Sequence, residues 1–215
     1  MALLILVRHG ETTWNALDRL TGTADISISK VGRKQAQRTA KLIHPYAPTL
    51  SYVSSLKRTR QTFNEIASLL PPPKLSLITT DQLNERDCGD YTGYAKENLK
   101  ELIGKEEITL LESDWCYTPP NGESLMDVHE RVISFFNGNV VPDLRQNKDV
   151  LIVSHYNPMR LLMGYLEGLP LQQRGNVQVA NAELVVYSVT IDSRSKLAQA
   201  KRIKREGHAR SGSKE

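Results

Sequence analysis

Leu3-Leu4-Ile5-Leu6-Val7-Arg8-His9-Gly10-Glu11-Thr12-Thr13-Trp14-Asn15 is the stretch that decides the fold. An unbroken run of branched apolar residues reads as a strand buried on both faces, in a sheet covered by helices on each side. The run ends in a guanidinium, Arg8, and an imidazole, His9. Gly10 then allows close backbone approach. Ligands of open α/β sheets bind outside the carboxyl ends of the strands. A histidine beside an arginine at that position is a candidate nucleophile facing an anion.

Asp149-Val150-Leu151-Ile152-Val153-Ser154-His155 repeats the pattern: a buried strand that delivers an imidazole. If the two strands are parallel neighbours, His9 and His155 meet. Between them, Thr12 to Asn15 opens a short helix and Ser29 caps one over 30–43. Leu50 to Ser54 is a strand, a helix over 56–70 ends at Pro71-Pro72-Pro73, and Leu75 to Ile78 is a short strand. Helices are expected near 95–103, 124–137 and 158–166, with Val177 to Val179 and Glu183 to Thr190 as a closing strand pair. Alternating strands and helices give a three-layer α/β/α sandwich with a mostly parallel central sheet. The chain divides into one domain over 1–193 and a basic tail over 194–215. The irregular stretch 84–122 is an inserted lid or specificity region.

Hydrophobic residues make up 40% of the 215, enough for one α/β domain with a sizeable core. No apolar run approaches the roughly 20 residues of a membrane span, and no secretory leader is seen. With only two cysteines, Cys88 and Cys116, the chain suits a reducing, cytoplasmic location. The net charge of +4 belongs to the tail: residues 194–215 hold eight Lys or Arg against two Glu, and the body carries 20 basic and 22 acidic residues. The tail is expected to be a solvated, fraying helix extension or a lid segment. Nucleic acid is not an expected partner, although the tail offers a weak route to it.

Arg8, His9, Arg58 and His155 would converge on one cleft. Thiolate clusters, a His-x-x-x-His pair and a carboxylate ladder are all missing from the sequence, so a metal is not expected. Planar cationic donors around an imidazole suit a phosphoryl group. His9 would then carry the phosphoryl group covalently, with His155 holding its oxygens, best when charged. Glu85 is a candidate to protonate the leaving oxygen, for which burial or a neighbouring anion should raise its pKa. Each residue alone has a plainer reading: Arg8 as a surface cation, His155 as a core histidine, Glu85 with Arg86 as a surface ion pair. His129 reads as a surface residue. The joint placement at strand ends lifts the others above those readings.

Arg8-His9-Gly10-Glu11-Thr12-x-Trp14-Asn15 resembles the signature of the histidine phosphatase superfamily, in the branch containing cofactor-dependent phosphoglycerate mutases. Ser55-Leu56-Lys57-Arg58, Leu83-Asn84-Glu85-Arg86 and the late strand ending at His155 extend the resemblance over about residues 2 to 190. It implies His9 as the phosphorylated nucleophile and Arg8, Arg58 and His155 as the phosphate pocket. Glu85 is implied as proton donor and acceptor. Asn15, Thr12, Thr21, Gly22, Lys96 and Asn157 are implied at the phosphoryl or substrate site. The Lys96 and Asn157 matches put interconversion of 3- and 2-phosphoglycerate first, primed by 2,3-bisphosphoglycerate. The alternative is a phosphomonoesterase acting on a small phosphorylated metabolite, and a third reading is an inactive binding protein. The resemblance also admits a homodimer. Three departures bear on the choice, one of them Cys88 where the mutases have a tyrosine. Tyr156 and Pro158 replace a glycine and a serine of the mutase pattern, and Ser113-Asp114 stands where mutases carry an adjacent arginine pair.

Overall fold

The computed structural model describes residues 1–71, 75–192 and 197–207. Over these residues the middle layer is one sheet. Its strands are β1 (Ala2–Arg8), β2 (Leu50–Ser54), β3 (Ser76–Thr80), β4 (Val150–Ser154), β5 (Leu184–Ile191) and β6 (Leu197–Glu206), arranged β3-β2-β4-β1-β5-β6. The first four in that order are parallel to their neighbours, whereas β5 runs antiparallel to both β1 and β6. Leu4 and Leu6 pack into one covering layer and Ile5 and Val7 into the other. That two-sided burial is why β1 lacks the polar alternation of a half-exposed strand.

The short α1 (Thr13–Ala16) follows β1. One face of the sheet is covered by α2 (Lys30–Ile43) and α3 (Lys57–Ala67), through Ala36, Ala40, Ile43, Phe63 and Ile66. The inserted region holds α4 (Lys96–Ile103) and α5 (Lys105–Ser113). The opposite face is covered by α6 (Leu125–Phe135), α7 (Val141–Arg145) and α8 (Tyr156–Leu166), through Val128, Val132, Leu144, Leu161 and Leu162. A π turn, Phe136–Val140, joins α6 to α7, and α9 (Leu171–Arg174) follows α8. The three-layer sandwich is as expected. Residues 72–74, including Pro72 and Pro73, lie outside the described set, and α3 already ends at Ala67.

Three expectations are corrected. First, 84–122 is more ordered than an irregular loop. Gly104, at φ +88°, ends α4 and admits α5, and Tyr91, Leu99 and Leu111 form a small core of their own. Buried Arg86 fastens this region by donating to the carbonyls of Leu111 (2.6 Å), Tyr117 (2.9 Å) and Glu123 (2.6 Å). Second, Val177 to Val179 is not a strand. The carbonyl of Val179 accepts from Arg8 Nη1 and that of Gln178 from Arg205 Nη2, so guanidinium groups take the place of a ladder partner. Third, the described part of the basic tail is neither helix nor lid but β6, the partner of β5. Its cations meet carboxylates across the edge, Arg202 with Glu167 at 2.6 Å and Arg205 with Glu183. Residues 193–196 and 208–215, His208 among them, are outside the described set.

Candidate active site

Parallel pairing of β1 with β4 sets Arg8 opposite Ser154, so the residues that follow, His9 and His155, emerge at the same end of adjacent strands. Their ring centroids are 5.1 Å apart. His9 Nδ1 lies 2.8 Å from the Gly10 carbonyl. With Nδ1 as the donor, Nε2 keeps its lone pair. Burial, and then the charges of Arg58 and Arg8, hold the His9 pKa well below its usual value. A neutral imidazole with a free Nε2 is the form a nucleophile needs. The turn that follows is tight: a side-chain carbon on Gly10 would come within 2.4 Å of the Gly32 carbonyl oxygen.

His155 is fixed from two sides. Arg58 Nε donates to its Nδ1 at 3.1 Å, so Nε2 carries the proton to Ser54 Oγ at 2.7 Å. Burial, with Arg58 next, keeps its pKa well below the usual value. Both effects favour the neutral ring, whereas the charged form would hold phosphoryl oxygens better. Arg58 is fully buried, and its Nη1 and Nη2 donate to the carbonyls of Ala24 (2.7 Å) and Gly22 (2.8 Å). Burial holds its pKa down to about 10, which leaves it charged at neutral pH. With Nε on His155, three of its five N–H groups are used in these bonds.

Arg8 Nη1 donates to the Val179 carbonyl at 2.6 Å, and its guanidinium lies over the Tyr156 ring. Asn15 Oδ1 accepts from Thr12 N (3.1 Å) and from Asn181 Nδ2 (3.2 Å). That assignment turns the Asn15 amide nitrogen outward as a donor. Thr12, buried, caps α1 by accepting from Asn15 N, so its oxygen serves the turn. Gly22 adopts φ +48° and Thr21 Oγ1 is buried without a hydrogen-bond partner.

Glu85 is buried beside the first turn of α8. Its Oε1 accepts from Arg86 N (2.9 Å), Asn157 N (3.1 Å) and Asn157 Nδ2 (3.0 Å), and its Oε2 from Tyr156 N (3.0 Å). Asn157 therefore braces Glu85. Arg86 does not pair with the Glu85 carboxylate through its guanidinium, which goes to the carbonyls of Leu111, Tyr117 and Glu123.

A model of the histidine phosphatase superfamily (branch 1) matches residues 4–200. The chain belongs to this superfamily. It is an enzyme of phosphotransferase or phosphatase type that works through a phosphohistidine. It is 34% identical to a phosphoglycerate mutase of Schizosaccharomyces pombe over 194 residues, covering 89% of this chain and 92% of the relative. The native structure of mycobacterial glucosyl-3-phosphoglycerate phosphatase superposes with a TM-score of 0.83 at 22% identity, covering 97% of this chain and 100% of the other, which speaks for the fold alone. A putative alpha-ribazole-5'-P phosphatase of Escherichia coli gives a TM-score of 0.77 at 25% identity, covering 94% and 95%.

Within this member of the superfamily the structure adds several groups to those read from the sequence. Lys96 Nζ pairs with Glu112 at 2.7 Å, both side chains exposed, and Lys100 lies 3.7 Å from Glu97. His129 is half-buried rather than a surface residue. Its ring lies 5.2 Å from Trp115, and burial with the neighbouring Arg174 holds its pKa down to about 4. Ser54 and Asn181, the braces of His155 and Asn15, were not singled out. Ser54 ends β2 at the same edge as the histidines, a signal that was legible, whereas Asn181 sits in a turn with none. Among the described residues no cluster of three or more His, Cys, Asp or Glu is arranged to hold a metal ion, and no helix is long and apolar enough to cross a membrane.

Proposed function

We propose that the protein is a phosphomonoesterase that hydrolyses a small phosphorylated metabolite through a phosphohistidine on His9. His9 Nε2 attacks phosphorus and the bond to the substrate oxygen breaks. Arg8, Arg58 and the Asn15 amide hold the phosphoryl oxygens, and His155, bonded through both ring nitrogens, orients Arg58 beside them, a placement that supplies most of what phosphoryl transfer requires. Glu85 gives its proton to the departing oxygen. Its Oε2, with one donor against three on Oε1, has room for that proton. Water then attacks phosphorus and gives its proton to Glu85, while the N–P bond breaks, its electron pair returns to His9 Nε2 and phosphate leaves.

The observation that favours hydrolysis over mutation is the fate of the segment where mutases carry their arginine pair. Asp114 Oδ1 closes a turn by accepting from Cys116 N (2.9 Å) and Tyr117 N (2.7 Å), and Lys96 is paired to Glu112. A bisphosphoglycerate needs cations for its second anionic end. Losing two charge-assisted contacts of roughly 1.5–3 kcal/mol each weakens binding by orders of magnitude. The 25% identity to a putative alpha-ribazole-5'-P phosphatase of Escherichia coli points the same way. Identity to the mutase of Schizosaccharomyces pombe keeps a 2,3-bisphosphoglycerate-primed mutase as the second reading. The two part on one assay of 3-phosphoglycerate and other small phosphate esters. Inorganic phosphate release without the primer supports hydrolysis, and primer-dependent formation of 2-phosphoglycerate overturns it. In either case H9A abolishes turnover and the acid-labile phosphoprotein.

A further inference from the structure

Tyr156 stands between His155 and Asn157, where the mutase pattern has a glycine, and its ring is held in an unusual setting. The Arg8 guanidinium carbon lies 5.1 Å from the ring centroid and that of Arg160 lies 4.8 Å from it. The hydroxyl donates to Gln178 Oε1 at 3.0 Å. Next along the chain, the Val179 carbonyl accepts from Arg8 Nη1 at 2.6 Å. Arg160 is buried and tied to the carbonyls of Gly175 and Glu112, so it presses on the ring from a fixed base.

An aromatic ring carries negative potential on its faces and attracts a cation placed over them. Two guanidinium groups that would otherwise repel are thus both attracted to one ring. We propose that Tyr156 is a positioning residue of the phosphoryl pocket, whose ring fixes the Arg8 guanidinium beside His9. The proposal rests on the reading of Arg8 and His9 as phosphoryl ligands. A glycine here leaves the Arg8 guanidinium without this face to stack on. The extra volume between the two arginines also gives this chain a different wall from the mutase pattern.

The decisive comparison is Tyr156→Phe against Tyr156→pentafluorophenylalanine, which keep nearly the same shape while fluorination reverses the potential of the ring face. Phenylalanine retains kcat/KM for a phosphate ester, and the dissociation constant of inorganic phosphate measured by calorimetry, to within about threefold. Pentafluorophenylalanine weakens both about tenfold, with an unchanged melting temperature. In an R8M background the fluorinated ring adds less than about threefold, whereas in an R160M background its full effect persists. Equal behaviour of the two aromatic variants, or an undiminished effect in R8M, overturns the proposal. A wild-type chain that binds phosphate but hydrolyses nothing refutes the phosphatase reading alone, because the calorimetric comparison still decides the role of Tyr156.

Discussion

The His9 and His155 ring centroids lie 5.1 Å apart with their planes inclined by 59°, and each ring is anchored by its own hydrogen bonds. His9 is tethered to the Gly10 carbonyl, and His155 is tethered to Ser54 and Arg58. Two neutral rings flanked by buried guanidinium groups make a pocket whose positive charge is set by arginines.

Stability should depend on pH through both rings. Each is neutral in the fold, because burial and the Arg58 charge lower its pKa, but titrates near 6.5 when unfolded. Below that value the unfolded chain binds the extra protons. Stability is therefore full above about pH 6.5 and falls as pH drops, by up to about 1.4 kcal/mol per pH unit for each histidine. Urea midpoints at pH 7.5, 6.5 and 5.5 measure this, and H155N should flatten the slope. Equal midpoints at the three pH values contradict the neutral assignment.

Removing the Ser54 hydroxyl leaves the buried His155 Nε2 proton without its 2.7 Å partner. S54A is expected to lower kcat/KM about tenfold, the loss of roughly 1.4 kcal/mol of positioning. S54T should recover part of it. Steady-state kinetics with a phosphate ester reads both.

Asn181 holds the Asn15 amide in one orientation. In N181A only Thr12 N still holds Oδ1, and the amide flips more readily, turning an oxygen toward the phosphoryl site. KM is expected to rise about five- to tenfold, in line with one lost hydrogen bond. An unchanged KM would show that Thr12 N orients Asn15 unaided.

R86M strips three backbone carbonyls of their buried donor. A loss of roughly 3 kcal/mol is expected, lowering the melting temperature by about 6–12 °C. Limited proteolysis should then cut within 104–118, since Arg86 holds the carbonyls of Leu111 in α5 and Tyr117 in the turn after it.

Much of the site was legible because strand ends are legible. An apolar run ending in Arg8-His9 and another ending in His155 carry their own geometry, and β1–β4 pairing brings them together as expected. The bracing groups were harder to see, since a serine or an asparagine has many ordinary uses and only tertiary contact selects one. Lys96 matched a motif, but its partner Glu112 lies sixteen residues away on another helix, beyond any local pattern. The helix α5 was hidden by Gly104, which usually marks an end and here marks a corner between two helices. The tail misled through composition: a basic, Gly/Ser-containing segment reads as solvated, yet β5 offered it a free ladder and acidic partners at Glu167 and Glu183.

That last pairing has a practical side. Shortening the polypeptide at residue 193 would strip away the final rung of the sheet and bare the hydrogen-bonding flank of β5, while also discarding the chain's excess cations. A sticky border and a weaker electrostatic guard would arrive together, inviting truncated copies to stack rim to rim. The lysines and arginines that look like an appendage are better regarded as a bumper rail built into the protein's margin.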